Sequence, residues 1–76
     1  MKQQKNRLRR IASNQVTTPE GRCLIQYVVE LENGTLANLF PLSRELPNTE
    51  WFQGEIVLQR QTDGSIRAYY KGKAIT

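Results

Sequence analysis

The chain contains no histidine and a single cysteine, Cys23. The first absence removes the commonest general base and the commonest metal ligand together. The second excludes an intramolecular disulfide and fits a reducing compartment. One thiol and scattered carboxylates cannot assemble a tetrahedral zinc site. Also missing are the GxGxxG and GxxxxGK[ST] loops that cradle phosphates, and the GxSxG nucleophile elbow. No apolar run approaches the ~18 residues of a membrane span, and no apolar stretch follows the basic N-terminus as in a signal peptide. From these absences we expect no catalytic residue, no metal, no cofactor, a cytoplasmic location and no membrane partner. A stand-alone enzyme is not expected.

What is present fits one small domain. Seventy-six residues bury a thin core and leave little room for a deep cleft beside it. The net charge of +4 is unevenly spread. Residues 1–10 carry Lys2, Lys5, Arg7, Arg9 and Arg10 with no acid, which gives +5; residues 11–76 carry six cations against seven acids, which gives −1. Residues 1–8 are therefore read as a flexible basic tail and 9–76 as a single β domain.

Strand and turn signals run through that domain. Leu8 to Val16 is a weak strand, and TPEG at 18–21 is a turn. In RCLIQYVVEL, residues 22–31, Cys23, Ile25, Tyr27, Val29 and Leu31 recur at period two, the mark of a strand with one buried face. Cys23 on that face reads as a small buried hydrophobe. Asn33-Gly34 is a strong hairpin signal and returns the chain into TLANLF, residues 35–40. Residues 41–51 hold two prolines and no period, and read as a long connection with room for one helical turn at 43–46. GEIVLQR (54–60) and SIRAYY (65–70) form a second hairpin around Asp63-Gly64, and Lys71-Gly72-Lys73 turns or bulges into a last short strand. Five or six short strands at this spacing predict an all-β fold, a small antiparallel β-sandwich or half-open barrel. Its core should include Ile25, Tyr27, Val29, Leu31, Leu36, Phe40, Ile56, Leu58, Ile66 and Tyr70.

Two surfaces are candidates for function. In the 41–53 segment, Leu46, Trp51 and Phe52 could present an apolar patch, because loops carry binding residues on rigid scaffolds. The competing role for Trp51, and the simpler one, is to cap the core. The second candidate is nucleic-acid binding through Lys2, Lys5, Arg7, Arg9, Arg10, Lys71 and Lys73, with Trp51, Phe52, Tyr69 and Tyr70 as stacking platforms. The near-neutral folded part argues against it, since nucleic-acid domains usually carry basic charge on the fold itself.

Ile11, Val16, Thr18 and Gly21, then Val28 or Val29 with Asn33-Gly34 and Leu36, then Gly54, Val57 and Leu58, follow one another in an order that resembles the β-sandwich (composite) domain of metal-dependent amidohydrolases. In that superfamily a strand and turn "I-x-x-x-x-V-x-T-x-x-G" precedes a hairpin "V-x-x-x-x-G-x-I" and a segment ending "G-x-x-V-x-P-G". RQTDGSIRAYYKGKAIT is similar to the C-terminal strands that complete the sandwich. The family's P-G-x-x-D-x-H metal motif and catalytic barrel have no counterpart, because Leu58 leads directly into another hairpin. The resemblance therefore implies the sandwich without its enzyme, and no catalytic or metal residue carries over. The resulting expectation is a non-enzymatic domain that mediates protein interaction, with an amidohydrolase-type partner or a second copy in a homodimer; nucleic-acid binding through the basic tail is the alternative.

Overall fold

The computed structural model describes residues 8–44 and 46–76. Six strands form one sheet: β1 Leu8–Thr17, β2 Cys23–Glu32, β3 Thr35–Pro41, β4 Thr49–Arg60, β5 Ile66–Tyr70 and β6 Lys73–Ala74. Their order across the sheet is β3-β2-β1-β4-β5-β6. β1 and β4 run parallel and the other neighbours antiparallel, so the sheet is mixed rather than antiparallel throughout as expected. β3 and β5 approach each other although three strands lie between them, so the sheet curls into a half-barrel around its own core. The all-β half-open barrel predicted from the turn spacing is the fold.

The turns follow from their residues. Asn33 and Gly34 both take positive φ (53° and 83°), the combination a type I′ hairpin needs and that Asn-Gly tolerates best. Lys71-Gly72 repeats the device between β5 and β6. Asp63 accepts hydrogen bonds from the backbone N–H and hydroxyl of Ser65, at 2.9 and 2.7 Å, and so organises the β4–β5 turn.

The buried core consists of Ile11, Val16, Val29, Leu31, Ile56, Leu58, Ala68 and Ile75, with Tyr27, Leu36, Ile66 and Tyr70 packed at its margin. Two expected members are elsewhere, and the period-two face of β2 ends where the strand kinks. Ile25 is 64% exposed and Cys23 is exposed, whereas Leu24 packs against the core. The cause is Gln26, at φ 55°, which shifts the side-chain alternation by one residue. β1, paired in unbroken register, shifts in step: Ile11 and Ser13 point inward, then Val16 rather than Gln15. β4 keeps its phase by adding a residue, since three steps of β1 from Ser13 to Val16 match four of β4 from Phe52 to Ile56. Gly54 supplies that bulge at φ 114°, and its N–H donates to Asn14 Oδ1 at 2.9 Å. Tyr70 hydroxyl donates to the neighbouring Gln53 carbonyl at 2.6 Å. In β3 a second irregularity, at Ala37, turns Leu36 and Leu39 inward and leaves Phe40 on the other face, opposite Val28.

The β3-to-β4 connection shapes the outer face. β3 and β4 are parallel with β2 and β1 between them, so the chain must cross two strands. Leu42, Ser43 and Leu46 are irregular, Arg44 lies in a bend and Pro47-Asn48 forms a turn; none of these described residues is helical, and Glu45 lies outside the described residues. The connection is also shorter than expected, because β4 begins at Thr49 and Trp51 and Phe52 belong to it. Beneath the crossing, Val28 (0% exposed) and Ala12 (1%) are buried on the face opposite the core.

Candidate interaction cleft on the outer face

Successive side chains of a strand point to opposite faces of the sheet. β4 therefore sends Trp51 outward, paired with Ala12, and Phe52 inward, paired with Ser13. Trp51 is 49% exposed, so it does not cap the core, and the simpler of its two expected roles is not the one it has. Beside it opens a cleft of about 820 Å³ lined by Ala12, Leu42, Ser43, Arg44, Leu46, Pro47, Thr49 and Trp51. One wall is the crossing segment, the other is Trp51, and the floor is β1 at Ala12.

The crossing segment is tied down from below. Arg10 faces outward, two residues before Ala12, and donates from Nε to Glu30 Oε2 at 2.7 Å and from Nη1 to the Pro47 carbonyl at 2.8 Å. Asn38 Nδ2 donates to the other Glu30 oxygen at 2.9 Å. Glu30 is 7% exposed and its carboxylate is satisfied by the two donors. The Arg10 hydrogen bond holds the Glu30 carboxyl below the usual carboxylate range, against the opposing effect of burial. The row Asn38–Glu30–Arg10 thus runs across β3, β2 and β1 and ends on the backbone of the crossing segment.

Of the three residues expected to form an apolar patch, Leu46 and Trp51 line the same cleft. Phe52 is on the other side of the sheet, edge-to-face with Tyr70 at 4.8 Å between ring centres. It borders a smaller cleft of about 230 Å³ with Arg9, Tyr70, Lys73, Ala74, Ile75 and Thr76.

Among the described residues the basic candidates are dispersed. Arg9 points inward, grips Glu50 with two hydrogen bonds (2.8 and 2.9 Å) and donates to the Thr76 carbonyl at 2.8 Å. This pairing raises the Arg9 pKa and lowers that of Glu50. Arg9 and Arg10 therefore occupy opposite faces of β1, each with its own carboxylate. Lys71 lies over the Tyr70 ring at 5.4 Å, and Lys73 flanks the smaller cleft. Lys2, Lys5 and Arg7 lie outside the described residues, and Leu8 is the first residue of β1.

Sequence reasoning missed Arg44, Ala12, Leu42 and Pro47 as cleft residues, and assigned Arg10 to the basic nucleic-acid candidates. The Arg10-to-Ala12 spacing on an outward face was the available signal, but it is legible only once β1 is known to lie beneath a crossing segment. Among the described residues no group of three or more His, Cys, Asp or Glu side chains could hold a metal ion, and no helix is long and apolar enough to cross a membrane. No family model, curated protein or solved structure matches the chain.

Proposed function

We propose that this chain is a non-enzymatic protein-interaction domain that receives a segment of a partner protein in the cleft between the crossing segment and Trp51. The observation that carries this reading is a half-exposed tryptophan on the wall of an open cleft of mixed polar and apolar lining, on the face of the sheet that the core does not use. Tryptophan is enriched among residues that dominate binding energy, because it buries a large rigid surface at small entropic cost. The cleft volume lies in the range of pockets that bury a drug-sized group, enough for one or two side chains of a docked segment. The tie from Arg10 to Pro47 supports the reading further, since a pre-formed cleft loses less entropy on binding.

The sequence resemblance makes an amidohydrolase-type protein a partner to look for, and a second copy of the chain is the other. Affinity capture with the wild-type protein, Trp51→Ala and Tyr69→Ala tests the reading, given matched melting temperatures. A partner retained by wild type and Tyr69→Ala but lost with Trp51→Ala is the expected result. A partner retained equally by all three, or lost only with Tyr69→Ala, contradicts it.

A further inference from the structure

The smaller cleft beside Phe52 and Tyr70 has its arginine committed to Glu50 and Thr76, and Cys23 is a lone exposed thiol. The larger cleft carries more, because its described lining is asymmetric in charge. Arg44 is the sole ionisable group among its described lining residues, and no carboxylate shares that lining. Arg44 is exposed and makes no hydrogen bond or ion pair with any described residue, and neither does Ser43. The acidic group of the outer row, Glu30, is consumed by Arg10 and Asn38 and is buried, so it does not neutralise Arg44. The rest of the described lining is apolar except for Thr49: Ala12, Leu42, Leu46, Pro47 and Trp51.

Resting on the docking reading above, we infer that the cleft selects an extended acidic–apolar segment: one large apolar side chain seated against Trp51 and Leu46, with an aspartate or glutamate a few positions away that meets Arg44 and the Ser43 hydroxyl. The apolar anchor dominates affinity. The carboxylate adds discrimination rather than strength, because an ion pair at an exposed guanidinium contributes little. A lysine at the same place would meet the like charge of Arg44 instead, so the preference has a definite sign.

Panning a random heptapeptide display library on the wild-type protein, with counter-selection on Trp51→Ala, tests both layers separately. The expected pool pairs a Trp, Phe, Leu or Ile with an Asp or Glu nearby. The best peptide is then synthesised with its acid intact and as the amide, and titrated against the fluorescence of Trp51, the chain's single tryptophan. Neutralising the acid should weaken binding about two- to fivefold at low salt. Arg44→Gln, which should leave the melting temperature unchanged, should abolish that difference. Trp51-dependent peptides that are neutral or basic, or an acid effect that survives Arg44→Gln, would overturn the inference and leave the docking reading intact. A pool with no dependence on Trp51 would remove both.

Discussion

Arg10→Met removes the guanidinium that joins β1, Glu30 and the crossing segment, and keeps most of the aliphatic stem. Glu30, 7% exposed, is left with Asn38 as its one donor among the described residues, and the Pro47 carbonyl keeps only the longer 3.3 Å hydrogen bond from the Thr49 hydroxyl. Breaking a fully buried pair by removing one partner costs about 3–5 kcal/mol, whereas exposed pairs contribute about 0.2–1 kcal/mol. Glu30 is nearly buried and the Arg10 side chain is 28% exposed, so the cost falls between these limits. We expect about 2 kcal/mol, or a fall in melting temperature of about 8–16 °C for a domain of this size. The effect has a pH signature. The folded-state pKa of Glu30 is depressed in the wild type, so its contribution is complete above the unfolded value of about 4.3 and is lost as pH falls through the lowered folded value. In Arg10→Met the same carboxyl is buried without its cation, and protonation relieves the penalty. The stability gap between the two proteins should therefore narrow as pH drops below about 4. Arg10→Met combined with Glu30→Leu should recover much of the loss, because apolar replacement of a buried pair is often neutral. Urea denaturation at neutral and acid pH measures all of this. A loss below about 0.5 kcal/mol at neutral pH, or a gap independent of pH, would refute the buried-pair argument.

Other expectations follow from burial and backbone geometry. Trp51→Ala should change stability by less than about 1 kcal/mol, because the side chain is half exposed and faces away from the core; unfolding of this variant in a thermal melt would return Trp51 to a core role. Leu31→Ala, at 0% exposed, should cost about 2–5 kcal/mol, while Ile25→Ser on the same strand should cost almost nothing; equal losses in urea would mean that the alternation does not shift at Gln26. Gly54→Ala should destabilise by about 1–2 kcal/mol through its φ of 114° alone, since no atom lies within 4 Å of the added methyl; a neutral result would argue against the bulge.

Turns and strands were legible because their signals are local. Asn33-Gly34 can satisfy two positive φ angles, and β4 alternates without interruption from Ile56 to Leu58. The core was legible wherever alternation is unbroken, as at Val29, Leu31, Ile56 and Leu58. It was misread where the backbone resets the phase. Gln26 carries no sequence mark of a positive φ, so Ile25 looked like a core residue. Ala37 likewise gives no sign of the irregularity that turns Phe40 away from Leu36. The cleft was half legible. Leu46 and Trp51 stood out as apolar residues near prolines, but Phe52 followed them only because adjacency in sequence hides opposite faces in a strand. Arg10 looked like part of a solvated charge run because its acid is twenty residues away and its backbone acceptor thirty-seven.

The outer cleft, rather than the basic residues, is the proposed meeting place of this domain and its partner. Heteronuclear NMR of the full chain, titrated in turn with the captured partner or selected peptide and with mixed short RNA and DNA, tests it most directly. The protein ligand should shift the amides of Ala12, Leu42, Leu46, Thr49 and the Trp51 indole, while oligonucleotides should produce only changes that vanish at physiological salt. Salt-resistant shifts from RNA or DNA over Tyr69, Tyr70, Lys71 and Lys73, with the cleft unmoved by any protein ligand, would contradict it.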